Sequence, residues 1–315
     1  MKLRAGTRGS RLAIAQTQIV LGGLRKTNPA RNFEIVTINT KGDTDKRPLF
    51  TMDEKGIFER EINEAVISGG VDFAVHSLKD IPSNLSNELI IACIPKRAKP
   101  NDVLVSEKNL KIRDLPIDSI VGTSSLRRAI QVLRKRPDLN VKPIRGNVET
   151  RVKKSIIGEY DAVILAEAGL IRLGMNDVIT ERFNIRDFVP AAGQGAIGIV
   201  CRKDNHKLIT LLKSIEDPQS RAEVDAERAL LTKIEGGCRF PVGIVAITSA
   251  DKCNIILYAN VFSADGSRFI KLKKTGNVNY PTRLGTKMAN LLIKKDVTKL
   301  SQGWHDAVEE WNKKL

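Results

Sequence analysis

Strand-like and helix-like segments alternate up to residue 215, and this constrains the fold of the 315-residue chain more than any other feature. FEIVTINT (33–40), FAVHSL (73–78) and LIIACIP (89–95) are short apolar runs rich in β-branched residues and read as strands. Between them Phe58, Ile62, Ala65 and Val66 recur at helical spacing, and an earlier helix begins near Ser10 with Leu12, Ala15 and Ile19 on one face. Such alternation predicts a mostly parallel sheet covered by helices on both sides.

The pattern then repeats. SIVGTSS (119–125), VKPIRG (141–146) and DAVILAEAGL (161–170) read as strands running into loops, while Leu126, Ile130 and Leu133, and then Val148, Val152 and Ile156, mark helical faces. KRAKPND (96–102) reads as a crossover, and IGIVCR (197–202) as a strand behind the loop VPAAGQGA. After IEDPQS the character changes. A helix carrying Ala226, Leu230 and Ile234 precedes three strand-like runs, VGIVAITSA, NIILYANVFS and SRFIKLKK, linked by the turns SADK and SADG. Trp304, Val308, Trp311 and Leu315 suit the buried stripe of a last helix. The tail is thus a small α+β domain.

Composition bounds what such a chain does. Hydrophobic residues at 42% support ordinary buried cores, and no run of eighteen apolar residues exists. The start, MKLRAGTRGSRLA, has no apolar secretory core, so the expectation is a cytoplasmic protein without a membrane partner. Lys and Arg number 52 against 36 Asp and Glu, a formal charge of +16 that asks for an acidic partner. Nucleic acid is the commoner partner for such a charge, with an anionic membrane or a polyanionic small molecule beside it; against nucleic acid, aromatics are 4%, and the positive charge is spread along the chain rather than gathered in a run.

The four cysteines, Cys93, Cys201, Cys238 and Cys253, form no CxxC pair and have no histidine at metal-ligand spacing, so no metal is expected. Cys93 and Cys201 sit in apolar strand-like runs and read as small buried hydrophobes. Cys238 differs: it lies in EGGCRFPVG, a bare loop behind two glycines.

Arginines cluster in loops beside Gly, Ser or Thr: Arg8 with Ser10 in AGTRGSR, Arg127 and Arg128 with Ser125 in GTSSLRR, Arg145 and Arg151 in RGNVETR, and Arg172 in AGLIRLG. In α/β sheets such loops lie at the carboxyl ends of strands, where ligands bind, and helix N-termini there favour anions. Each guanidinium adds a fixed fork that grips a carboxylate with two bonds. Several of these loops together suit a ligand carrying many carboxylates. In FAVHSLKDIP, Lys79 and Asp80 end a strand, and Asp80 is placed to accept N–H bonds and stabilise a developing cation. His76 is read as pointing into the sheet. GQGAIG (193–198) satisfies G-x-G-x-x-G, yet it follows VPAA and runs into strand-like IVCR, the wrong setting for a dinucleotide.

HSLKD, GTSSLRR, RGNVETR, PAAGQGA and EGGC, in this order and at these intervals, resemble the porphobilinogen deaminases, also called hydroxymethylbilane synthases. The resemblance spans nearly the whole chain. It implies a transferase of tetrapyrrole and haem biosynthesis that joins four porphobilinogen molecules head to tail, with loss of ammonia, on a dipyrromethane primer held through a thioether, and releases the linear tetrapyrrole by hydrolysis. Cys238 is implied as the attachment point and Asp80 as the catalytic group. Arg8, Ser10, Lys79, Ser125, Arg127, Arg128, Arg145, Arg151 and Arg172 are implied to bind cofactor and substrate carboxylates. Lys55 and Phe58 would belong to a loop covering the site.

The implied architecture is two α/β domains like type II periplasmic binding proteins flanking a cleft, 1–95 with 191–215 and 96–190, followed by a cofactor-carrying α+β domain, 216–315, in a monomer. The chain departs from the family pattern at Gly9, at Lys41 in NTKGD, at Val200, and at Asp53 and Glu54, where two acids stand for two glycines and stiffen the covering loop. A two-lobed anion-binding module without catalysis would share the lobes but has no use for EGGC.

Overall fold

The computed structural model describes residues 2–40, 59–234, 241–263, 265–300, 303 and 306, and the chain divides into two units, Met1–Ala98 with Gly193–Val224 and Lys99–Ala192 with Asp225–Leu315. In chain order the elements begin with β1 (Lys2–Thr7), α1 (Arg11–Thr27), β2 (Asn32–Thr37), α2 (Arg60–Ile67), β3 (Phe73–Ser77) and β4 (Leu89–Cys93). There follow β5 (Asp102–Ser106), β6 (Ile120–Gly122), α3 (Leu126–Lys135), β7 (Asn140–Lys142), α4 (Val148–Ile156), β8 (Ala162–Ala166), α5 (Glu167–Arg172) and β9 (Glu181–Arg182). The chain continues with β10 (Ile197–Arg202), α6 (His206–Lys213), α7 (Pro218–Ile234), β11 (Val242–Thr248), β12 (Asn254–Phe262), β13 (Phe269–Asn277), α8 (Pro281–Lys294) and α9 (Val297–Leu300). The helix expected around Trp304, Val308, Trp311 and Leu315 lies outside the described residues.

The first unit holds a five-stranded sheet in the order β2-β1-β3-β10-β4. Its central β3, FAVHS, is buried on both faces, as a continuous apolar run requires. Val20, Leu21 and Leu24 of α1 and Leu208 and Leu212 of α6 join one core with Phe73 and Val75. Ile62 and Val66 of α2 pack with Ala74 and Leu78 in another. On α1 the buried stripe is Gln16, Thr17, Val20, Leu21 and Leu24, and the expected Ile19 is 52% exposed. The bond from Gln16 to the Ser77 hydroxyl holds the helix in this rotation, and Thr17 satisfies its own hydroxyl within the helix on the Ala13 carbonyl.

In the second unit the order is β7-β6-β8-β5-β9. Each five-stranded sheet is mostly parallel, as the alternation predicts: four strands run in one direction and one is reversed. β1 pairs in parallel with β2 and β3, and β6 with β7 and β8, but β10 and β5 each run antiparallel to both of their neighbours. These two strands enter without a crossover helix before them, so no right-handed βαβ connection fixes their direction.

The same unit contains the antiparallel sheet β11-β12-β13. Ile255, Leu257, Ala259 and Val261 are fully buried along one face of β12, while the edge strand β13 exposes Lys271 and Lys273, charges that discourage pairing with another chain. Leu284, Met288, Ala289 and Leu292 form the buried stripe of α8. Gly285 sits in that stripe because α8 meets the backbone of α7: a Cβ there would lie 2.3 Å from the Ala226 carbonyl oxygen and 2.9 Å from the Leu230 nitrogen. Backbone cannot swing aside like a side chain. Gly285→Ala is expected to cost about 3 kcal/mol of stability, the upper end of ordinary overpacking, read as a lower melting temperature; an unchanged one would contradict the close crossing.

Candidate active site

In the first unit the loop between β1 and α1 carries Arg8 and Ser10. Ser10 is the N-cap of α1, its Oγ accepting from the Ala13 amide at 3.3 Å, and the cap fixes where Arg8 leaves the strand. At the end of β3 a short 3₁₀ turn, Leu78–Asp80, presents Lys79 and Asp80 to solvent. That turn is held from two sides. Gln16 Nε2 donates to Ser77 Oγ at 2.8 Å, and the Leu78 amide donates to the Ala196 carbonyl at 3.1 Å. Gly193, at φ +72, passes so near that a Cβ would lie 2.9 Å from Leu78 Cδ2. The first two glycines of GQGAIG are therefore turn residues ahead of β10: Gly193 and Gly195 both have positive φ.

Arg8, Ser10, Gln16, His76, Ser77 and Asp80 line one cavity. His76 departs from its expected place: it is buried on β3 yet faces this cavity, with Nε2 3.2 Å from Asn63 Oδ1. Burial, helped by the positive charge of Arg8, pushes its pKa down to about 4, so the ring is neutral at pH 7 and Nε2 is the donor to Asn63. Sequence reasoning did not single out Gln16, Ser77 or His76 as site residues.

In the second unit GTSS ends β6 and opens α3. Ser125 stands at the N-cap without bonding the helix through its side chain, and Arg127 and Arg128 follow in the first turn, both 6% exposed. Beneath them lies Asp102, fully buried, which sequence reasoning missed. Arg127 Nη1 donates to its Oδ2 at 2.7 Å and to the Val189 carbonyl at 2.8 Å. Arg128 donates to Oδ1 from Nε at 2.9 Å and from Nη2 at 2.7 Å, and to the Ile164 carbonyl from Nη1 at 3.2 Å.

The RGNVETR loop turns at Gly146, where φ is +112 and a Cβ would lie 2.6 Å from Thr150 Cγ2. Asn147 caps α4 by accepting from the Thr150 amide at 2.8 Å, and Arg151 Nε closes the loop on the Gly146 carbonyl at 2.8 Å. Burial and then the charges of Arg128 and Arg145 pull the Arg151 pKa down to about 10. Burial alone brings Arg172 to about 10, and burial leads the lowering of Arg127, with Asp102 opposing it. All remain charged at neutral pH. A cluster in which Arg128 and Arg145 repel Arg151 is one that carboxylates relieve, and in this respect the residues fit a multiply carboxylated pyrrole cofactor.

Cys93 and Cys201 are fully buried, and burial raises both thiols, Cys201 to about 12. Cys253 is exposed in the turn between β11 and β12. Cys238, Lys55, Phe58, Asp53 and Glu54 lie outside the described residues. Among the described residues no three His, Cys, Asp or Glu side chains are grouped to hold a metal ion, and no helix is long and apolar enough to cross a membrane.

These features define an α/β protein with arginine-rich loops suited to a polycarboxylate. Two family models match it: "Porphobilinogen deaminase, dipyromethane cofactor binding domain" over residues 3–210, and "Porphobilinogen deaminase, C-terminal domain" over residues 221–294. The chain belongs to the porphobilinogen deaminase family. It is 52% identical to a probable porphobilinogen deaminase of Nitrosopumilus maritimus over 99% of this chain and 100% of that one. Against the porphobilinogen deaminase of Roseiflexus castenholzii it is 42% identical, over 92% of this chain and 95% of that one. Among solved structures, the periplasmic VFT2 domain of Bordetella pertussis BvgS aligns with 68% of this chain and 86% of its own at 14% identity, with a TM-score of 0.41. The chain is a transferase of porphyrin biosynthesis, a hydroxymethylbilane synthase that uses a dipyrromethane cofactor and takes porphobilinogen as substrate.

Proposed function

We propose that the enzyme holds its cofactor on Cys238 and extends it by four porphobilinogens, with Asp80 as the catalytic group and the loop arginines as carboxylate ligands. The cofactor would supply the free pyrrole α-carbon to which the first substrate is joined, each later one being joined to the terminal pyrrole of the chain with loss of ammonia. This chain's residues do the rest. Asp80, exposed at its rigid turn, accepts N–H bonds and stabilises positive charge on the reacting pyrroles. Arg8 and Ser10 beside it, and Arg127, Arg128, Arg145, Arg151 and Arg172 in the second unit, take acetate and propionate groups, with Lys79 and Ser125 assisting. Lys55 and Phe58 are assigned to the covering loop, residues 216–315 to the cofactor-carrying domain, and the protein to the cytoplasm as a monomer.

One observation supports the carboxylate assignment above the others: Arg151 is half-buried beside the like charges of Arg128 and Arg145, its Nε held on the Gly146 carbonyl at 2.8 Å. Like charges so gathered repel one another, and carboxylates of a ligand would relieve that repulsion beyond what Asp102 does for Arg128. Arg128→Leu is expected to stall elongation, so that porphobilinogen consumption falls and protein masses with incomplete pyrrole chains accumulate. Wild-type turnover in that variant would sink the assignment.

A further inference from the structure

We infer that Asp102 is a positioning residue that aims Arg127 and Arg128 at the carboxylates of the growing pyrrole chain; this rests on the proposal that the two arginines bind those carboxylates. Asp102 opens β5, and its side chain is fully buried, so it acts on a ligand only through its neighbours. Both of its oxygens are engaged by arginine. Oδ1 takes the Nε–Nη2 edge of Arg128, and Oδ2 takes Nη1 of Arg127. A guanidinium is planar and its N–H groups form a rigid fork, so fixing one edge fixes the directions of the N–H bonds on the others.

The remaining contacts make the same frame stiffer. Arg128 Nη1 is braced on the Ile164 carbonyl of β8 and Arg127 Nη1 on the Val189 carbonyl. Val189 is itself clamped by Gln131, one turn along α3: its amide donates to Gln131 Oε1 at 2.7 Å, and Gln131 Nε2 reaches its carbonyl at 3.2 Å. Val189 also lies over Gly243 of β11, where a Cβ would come within 2.5 Å of its carbonyl oxygen. Arg127 is therefore tied to the strand that follows EGGCRFP, and Arg128 to β8.

Asp102 also sets the local charge. One carboxylate between two guanidiniums leaves a net charge of +1 to attract a ligand while cancelling the repulsion that would drive the two side chains apart. A ligand carboxylate thus meets guanidiniums already in place, and their ordering is complete before binding.

The test compares Asp102→Asn with the wild-type holoenzyme, with folding checked by circular dichroism. Asparagine keeps the shape but loses the charge and turns an N–H donor toward arginine donors. The expected result is a folded enzyme whose kcat/KM for porphobilinogen falls about 10- to 100-fold, the scale of a hydrogen bond to a charged group, chiefly through KM, with short pyrrole chains accumulating by intact mass. A variant that only melts earlier, with wild-type KM and the wild-type distribution of bound chains per folded molecule, would make Asp102 a purely structural residue and overturn the inference. If Asp102→Asn yields no folded protein, Arg128→Lys decides. Lysine keeps the charge without the fork, and the inference requires it to be nearly as impaired as Arg128→Leu; near wild-type kinetics would overturn it. Arg128→Leu separates the two levels: if it turns over normally, the carboxylate proposal itself fails, whereas a stalled Arg128→Leu beside a normal Asp102→Asn refutes only the role of Asp102.

Discussion

The intact mass of the purified chain is expected to exceed that of its 315 residues by one dipyrromethane, and both the excess and all turnover above background are expected to vanish in Cys238→Ser. The other cysteines explain the choice. A thiol tether forms through the thiolate, and a thiol at about 12, as burial makes Cys201, is ionised to only about one part in 10⁵ at pH 7. Cys93 is raised by the same cause. Cys253 is exposed, in a turn where its Sγ lies 3.4 Å from the Asp251 carbonyl. Serine at 238 offers a hydroxyl, a far weaker nucleophile without an adjacent base. An adduct that persists in Cys238→Ser would move the tether to Cys253. A wild-type chain that stays unmodified after incubation with porphobilinogen would mean that this family member has lost its chemistry.

How much of the fold is legible depends on what periodicity records. FAVHSL, LIIACIP and IGIVCR occur as β3, β4 and β10, because a continuous apolar run between polar breaks has few other uses. Direction is another matter. Nothing in IGIVCR says that it runs antiparallel between β3 and β4, since a strand's residue pattern is the same in either sense. DVLVS, which becomes β5, is five residues behind a proline-containing connection and is absorbed into it. In α8 the signs of a helix are present, Pro281 at its start and Leu284, Met288 and Leu292 one turn apart, but Gly285 weakens them. The glycine belongs to tertiary packing, against the α7 backbone.

The site divides in the same way. Arginines beside Gly and Ser announce themselves in sequence, although four of those read as loop residues, Arg127, Arg128, Arg151 and Arg172, lie within α3, α4 and α5. Their partners do not announce themselves. Asp102 is one acid among many until β5 lies beside β8 and brings it under Arg127 and Arg128. Val189 contributes a carbonyl, which every residue has. His76 reads as a strand residue and is one, but β3 ends so close to the cavity that the ring lines it as well.

Asp80→Asn is expected to lower kcat about 10³-fold, the scale of removing one preorganised electrostatic group, with little change in KM or melting temperature. Two carboxylates line the cavity of the first unit, and they are not equivalent. Glu59 is 3% exposed, whereas Asp80 stands open at the end of its 3₁₀ turn. His76 cannot substitute, because its pKa near 4 leaves the ring nearly unable to take up a proton at neutral pH. Asparagine preserves the shape of the turn but neither the charge nor the proton-accepting oxygen, so the loss falls on the step in which positive charge develops. The turn is fixed by Gln16 on Ser77, by the Leu78 amide on Ala196 and by the close approach of Gly193, and it does not shift to compensate. For that reason Asp80→Glu, which restores the carboxylate one methylene too far out, is expected to regain only part of the rate. Steady-state kinetics on both variants check this order; kcat within a few-fold of wild type for Asp80→Asn would require the proton-accepting group to be sought elsewhere in the cavity.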